Sequence, residues 1–289
     1  MKIAIFGKGF LGKSIYKTLY NHGHHVLICS KENVDYTDSW FLQDWLVENR
    51  IRLVINASGY TGVPNVDAAE NDKELCWKLN VEVPAIIAAS CEIVHSNMIH
   101  ISSGCIYNGY DKIYTEDDVP NFGLFNPDSS FYSKTKHAAE TILNNLPVYS
   151  FRLRIPFDGT LSPRNYITKL MGYDNLISVE NSVTCIDDFC NFVHKFISMM
   201  QTKAPETGAY NVVNPGTLTA KNVIDNLSIY GIKNPNHKFI DLHELNTKAK
   251  RSNVILSSEK INKLNLGLPP VNESLQKCIK EFASNWFLK

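Results

Sequence analysis

The chain has 289 residues, 44% of them apolar, and its 29 basic and 29 acidic side chains leave a formal net charge of zero. That length admits one or two domains with a sizeable core. The charge balance argues against a broad nucleic-acid or membrane surface, leaving at most a local basic pocket, and no apolar run approaches the roughly 20 residues of a membrane span.

The amino terminus, Met1-Lys2-Ile3-Ala4-Ile5-Phe6-Gly7, lacks the layout of a signal peptide and reads as a first strand. Short apolar runs then alternate with longer helical patterns, which predicts an α/β fold with a doubly wound parallel sheet. Residues 3–6 form strand one. Gly7-Lys8-Gly9-Phe10-Leu11-Gly12 follows and opens a helix over 11–20. Glycines at this spacing let the backbone approach a pyrophosphate at a helix N-terminus. The alternative is a tight turn whose glycines serve packing alone.

Residues 25–29 are strand two. Ser30 and Lys31 stand at its end, where a site for NAD usually carries an acidic residue. A hydroxyl and a cation suit a 2′-phosphate, so the expected cofactor is NADPH (NADP+). Residues 33–38 read as a short strand and a helix start, with Asp38 an N-cap and Asp35 and Tyr36 beside the adenine. A helix over 40–49 and a strand over 53–56 follow. The strand leads into Ala57-Ser58-Gly59-Tyr60-Thr61, small enough in part to leave room for the cofactor's ribose and nicotinamide. Asn56-Ala57-Ser58 matches a glycosylation sequon, but its place at the end of an apolar strand discounts it.

Residues 67–91 have helical spacing with an interruption at Pro84. Asn80 lies within them and, if buried, is suited to holding a water beside the site. A strand over 94–102 delivers Ser102 and Ser103 to the carboxyl edge of the sheet, where such folds place their active sites. Residues 108–130 read as a long loop. A helix over 131–145, a strand over 148–154, a segment over 164–173, a strand over 182–186, a helix over 187–200 and a strand over 209–213 come next. Helices over 220–230 and 274–287 complete the chain. The expected division is a nucleotide-binding domain over 1–155 and a smaller substrate lobe over 156–289, part of which returns to the main sheet.

Tyr132 and Lys136 are spaced i, i+4 and share one helix face. A nearby ammonium favours tyrosinate and is expected to lower the tyrosine pKa. The phenol can then protonate a carbonyl oxygen that Ser103 also holds; the plainer alternative is a surface helix pair. Cys105 sits two residues past Ser103. A thiol tuned by cations can act as acid or base, although a lone cysteine is more often a small buried hydrophobe. The seven cysteines (29, 76, 91, 105, 185, 190 and 278) include no CxxC. They read as reduced thiols, in keeping with a cytoplasmic protein, and no metal site is expected.

Five strings carry a resemblance that runs nearly end to end. They are residues 56–67, Gly104-Cys105-Ile106-Tyr107, Pro120-Asn121-Phe122, residues 130–136 and Pro163-Arg164-Asn165-Tyr166-Ile167-Thr168-Lys169; Arg251-Ser252-Asn253 belongs with them. Together they closely resemble the bifunctional UDP-4-keto-6-deoxy-D-glucose 3,5-epimerase/4-reductases. These are the nucleotide-rhamnose synthase/epimerase-reductases of plants, with giant-virus relatives, in the extended short-chain dehydrogenase/reductase superfamily. The resemblance implies a Rossmann domain, NADPH, and conversion of UDP-4-keto-6-deoxy-D-glucose to UDP-L-rhamnose. It assigns Ser103, Tyr132 and Lys136 to reduction, and Cys105 and Lys169 to epimerisation as an acid–base pair. It gives Thr61, Gly104, Arg164, Asn165 and Arg251 to the substrate, the last three at the diphosphate and uracil end. A homodimer is a family-level expectation, and an upstream UDP-glucose 4,6-dehydratase would have to supply the keto-sugar. Two rival functions are a narrower enzyme (a 4-reductase alone, or a 3,5-epimerase of a GDP-sugar) and a regulatory subunit that binds NADP without turnover.

Overall fold

The first five elements alternate as their apolar runs dictate: β1 (Lys2–Phe6), α1 (Phe10–Asn21), β2 (His25–Cys29), α2 (Ser39–Glu48) and β3 (Leu53–Asn56). The computed structural model describes residues 1–63 and 65–288; Pro64, inside one of the strings quoted above, lies outside them. Asp38 caps α2 by accepting from Phe41 N at 3.0 Å. The strand expected before it does not form. Residues 33–37 are turns, because Asp35 closes onto Thr37 instead of pairing with a neighbour.

Next, α3 (Lys73–Trp77) runs through a π-helical turn (Lys78–Glu82) into α4 (Val83–Ile93). Pro84 does not interrupt this run. It follows closely on the π-helical turn Lys78–Glu82, where the hydrogen-bond ladder already departs from i to i−4 spacing. β4 (Asn97–Ser103), β5 (Gly109–Tyr114), α5 (Phe131–Leu143) and β6 (Val148–Leu153) follow. β5 lies inside the stretch read as loop. Its partner is β12 (Val254–Leu256), far along the chain and invisible to local pattern.

Beyond residue 155 come β7 (Pro156–Phe157), α6 (Tyr166–Met171), β8 (Asn175–Ile177), β9 (Thr184–Cys185) and α7 (Ile186–Met200). Then β10 (Gly208–Asn211), α8 (Ala220–Ile229), β11 (Lys238–Ile240), β12, α9 (Glu259–Lys263) and α10 (Val271–Phe287) complete the chain.

Six parallel strands form the main sheet in the order β10-β6-β4-β3-β1-β2. Strand alternation divides its side chains between two helical layers. Ile3 and Ile5 pack with Ile15 and Leu19 of α1 and Phe189, Val193 and Phe196 of α7. Ala4 and Phe6 face Leu42 and Leu46 of α2 and Val83 and Ile87 of α4. A second apolar cluster joins Ile167 and Leu170 of α6, Val223 and Leu227 of α8, and Leu275, Ile279 and Phe282 of α10.

Candidate active site

The parallel sheet points every strand's carboxyl end to one edge, and the chemistry-bearing residues gather there. β1 ends at Gly7, whose φ of +106° only glycine adopts readily; an added Cβ would come within 2.7 Å of Ala57 O. An added Cβ at Gly12 would collide with Gly7 O, so these two glycines do serve packing. Gly9 differs. It precedes α1 with no side-chain cap, and no atom lies within 4 Å of where its Cβ would be. The free space and uncapped N–H groups fit an anionic phosphate, next to Phe10 and Leu11. At the end of β2, Ser30 Oγ and Lys8 Nζ both donate to Asn33 Oδ1, and Lys31 is exposed beside them. Tyr36 is largely core, its ring stacked on Phe6 at 4.9 Å, while Asp35 is exposed.

Asn80 is fully buried, and its amide has direct protein partners. Its oxygen accepts from Tyr60 N at 2.7 Å, and its nitrogen donates to Tyr60 O at 2.9 Å and Thr135 Oγ1 at 3.1 Å. It therefore fastens the Ala57–Tyr60 turn to α5. That turn brings Gly59 against Lys136, whose Nζ lies 3.8 Å from where a Gly59 Cβ would be.

Ser103 ends β4 and caps a single 3-10 turn, Gly104–Ile106, by accepting from Cys105 N at 3.2 Å. Gly104 is tightly enclosed: an added Cβ would crowd Leu256 Cδ1 and come within 3.0 Å of the stem of Arg154. Ser130 starts α5 by accepting from Ser133 N at 3.1 Å, which puts Tyr132 and Lys136 on the buried face. Lys136 Nζ lies 5.9 Å from the centre of the Tyr132 ring and donates to Ile101 O at 3.3 Å. Burial lowers Lys136 to about 8, against the charges of Glu140, Cys76 and Cys105 that pull it up. The phenol of Tyr132 moves opposite to the sequence expectation. Burial pushes it well up and charge on Cys105 adds to the rise, while the Ser103 hydroxyl and Arg154 pull it down. Desolvation outweighs the cationic neighbourhood as the largest influence on the phenol.

Cys105 is half-buried; the other six cysteines are buried, and all seven are free. Its sulfur accepts from Arg154 Nη1 at 3.0 Å. Ser252 joins the same cluster, accepting from Arg154 Nη1 at 3.0 Å.

Lys169 lies on α6 with its pKa lowered by burial and by the charges of Arg164 and Arg251. Arg164 Nη1 donates to Thr61 Oγ1 at 2.9 Å and to Gly62 O at 2.5 Å. Arg251 forms a fork on Asp67, at 2.9 and 3.0 Å. Asn165 has a different task from the one the resemblance implies. It is fully buried, caps α6 through Ile167 N and binds Asp158 O and Thr160 O, so its amide is used internally. Among the described residues no hydrogen bond links Lys169 to Cys105.

Sequence reasoning missed Arg154, Asp67 and Ser252. For Arg154 the signal was Arg152-Leu153-Arg154, two arginines on one face of an apolar strand; Asp67 and Ser252 stood inside the strings that carry the resemblance but were given no role there.

The profile of the RmlD substrate binding domain family matches residues 1–284. A trifunctional UDP-glucose 4,6-dehydratase/UDP-4-keto-6-deoxy-D-glucose 3,5-epimerase/UDP-4-keto-L-rhamnose-reductase of Arabidopsis thaliana is 30% identical over 96% of this chain. The chain spans only 41% of that relative's length. A bifunctional dTDP-4-dehydrorhamnose 3,5-epimerase/dTDP-4-dehydrorhamnose reductase of the same plant is 33% identical over 79% of this chain and 76% of its own. The crystal structure of the UDP-rhamnose synthase from Acanthamoeba polyphaga mimivirus superposes with a TM-score of 0.86 at 26% identity, covering 97% of this chain and 99% of that one.

Proposed function

The chain belongs to the RmlD substrate binding domain family, and from that membership we propose a nucleotide-sugar 4-reductase of rhamnose synthesis that also inverts C3 and C5. It takes UDP-4-keto-6-deoxy-D-glucose to UDP-L-rhamnose. The observation that carries this reading is the meeting of two chemistries at the end of β4. Ser103, Tyr132 and Lys136 suit carbonyl reduction, and Cys105, two residues past Ser103, adds a titratable sulfur held by a guanidinium.

The bare N-terminus of α1 at Gly9 and the Ser30–Lys31 pair support NADPH, which when bound supplies the hydride for C4. Tyr132 gives its proton to O4, and Ser103 hydrogen-bonds the same oxygen. Lys136, held by Ile101 O, keeps a positive charge beside the phenol as it ionises. The C4 carbonyl also acidifies the protons at C3 and C5. Cys105 on one face and Lys169 on the other remove and return those protons, and burial of Lys169 favours the neutral amine that a base needs. Arg164 and Arg251 bind the diphosphate end, Arg251 exchanging Asp67 for phosphate. The 4,6-dehydration that makes the keto-sugar belongs to a separate active site, and the setting is the cytoplasm.

One NMR experiment tests this. The protein is mixed with UDP-4-keto-6-deoxy-D-glucose and NADPH in D2O. UDP-L-rhamnose deuterated at C3 and C5 is expected, with the label absent in Cys105→Ala. A reduced sugar that keeps its gluco configuration and no label would leave only the 4-reductase. No turnover with NADPH bound would point to a binding protein.

A further inference from the structure

Arg152 and Arg154 sit two residues apart at the end of β6, and their surroundings differ in one respect. Arg152 is neutralised: Glu140 takes its Nε and Nη2 at 2.9 and 2.7 Å. Arg154 is 2% exposed, and among the described residues no carboxylate lies within ion-pair distance of it. Its guanidinium is instead held by neutral oxygens, Asn181 Oδ1 at 2.5 Å, Ser252 O at 3.0 Å and Ser252 Oγ at 3.0 Å. Its Nε has no partner. Nη1 reaches the sulfur of Cys105 at 3.0 Å.

A buried guanidinium without a counter-ion is costly to keep, and neutral oxygens do not cancel its charge. The chain also accommodates it at some strain. Gly104 leaves the space through which the arginine stem passes, and Ile155, immediately after, is a β-branched residue at a φ of +37°. The missing negative charge is one that the chemistry can generate. When Cys105 returns its proton to a sugar carbon, the S–H bond breaks, a C–H bond forms and the sulfur is left as thiolate.

We propose that Arg154 is the positioning residue for the epimerising sulfur: it aims Cys105 into the cleft and serves as the resident counter-ion of its thiolate. This rests on the assignment of Cys105 to proton transfer. The other titratable groups facing the sulfur are Tyr132 and Lys136 from α5; Tyr110 of β5 and Tyr166 of α6 face the guanidinium.

The test reads the sulfur directly and needs no sugar. The rate of Cys105 alkylation by iodoacetamide is followed against pH by peptide mass mapping in the full chain. Wild type, Arg154→Met, Arg154→Lys and Ser252→Ala are compared, each checked for NADPH binding. Wild type is expected to react at Cys105 ahead of the six buried cysteines. In Arg154→Met the profile should move to higher pH, with at least a tenfold slower reaction near neutrality. Arg154→Lys should recover part of the shift, and Ser252→Ala, which loosens the fork and keeps the charge, should slow the reaction about threefold. If Arg154→Met does not fold, Arg154→Lys decides, by a shift of its profile along the pH axis from that of wild type. A profile that is unmoved along the pH axis, or merely rescaled at every pH, would overturn the proposal. In D2O with the keto-sugar, Arg154→Met should lose at least tenfold in C3 and C5 labelling while NADPH still binds. Absence of labelling in wild type would remove the epimerase reading, whereas the alkylation profiles would still report whether Arg154 stabilises the thiolate.

Discussion

Burial drives Tyr132 and Lys136 in opposite numerical directions and towards the same neutrality. Tyr132 is raised and Lys136 falls to about 8, so ammonium beside phenol persists only below that pH. Reduction is therefore expected to decline as pH rises above 8, measured as NADPH oxidation against the keto-sugar. Stability responds with the other sign. The folded value of Lys136 lies below the 10.5 of a free lysine, so between about 8 and 10.5 the unfolded chain binds more protons. This group's contribution to stability then rises with pH while its contribution to turnover falls. Tyr132→Phe should cut turnover about 10²- to 10⁴-fold and leave NADPH binding intact; unchanged turnover would remove Tyr132 from the chemistry. At this scale the sequence was readable where an arrangement depends on spacing, as in the shared buried helix face of Tyr132 and Lys136. It misled where function depends on surroundings, as in the direction of the Tyr132 shift and the internal employment of Asn165.

Elements position these side chains through two tight features. The 3-10 turn Gly104–Ile106 sits against the side chains of Leu256 and Arg154, where an added Cβ at residue 104 would crowd both. Gly104→Ala should destabilise the protein by about 1–3 kcal/mol by overpacking, and should slow Cys105 alkylation as the turn shifts. A thermal melt unchanged from wild type would show that the neighbours yield. Behind the turn, Glu140 joins α5 to β6 through Arg152, and Arg152 Nη1 continues to Tyr107 OH at 3.1 Å. Tyr107 OH in turn donates to Asp118 O at 2.8 Å, which ties down the segment after β5. Glu140→Ala leaves a buried guanidinium without its partner, and a loss of about 3–5 kcal/mol is expected in denaturant titration. The helix α2 announced itself through its cap, Asp38. β5 was hidden because its pairing residues lie on β12.

At the scale of the whole molecule, the second half of the chain completes the first. β10 extends the main sheet beside β6, and Phe189, Phe192 and Phe196 of α7 cover Phe151. A fragment ending at residue 155 would expose that aromatic face and an unpaired β6 edge, so no cooperative unfolding transition is expected from it. A sharp two-state melt of the fragment would contradict this.

The sequence by itself determined the parallel sheet, the glycine turn that opens α1, and the placing of Ser103, Cys105, Tyr132 and Lys136 at one edge. These follow from apolar alternation, backbone freedom and i, i+4 spacing, all of which act over a few residues. Only the tertiary structure decided that Arg154 meets Cys105 across 49 positions and Arg251 meets Asp67 across 184. It alone also decided that one of two neighbouring arginines lacks a carboxylate. Charge neutralisation and desolvation depend on what surrounds a group in space, and local sequence does not encode those neighbours.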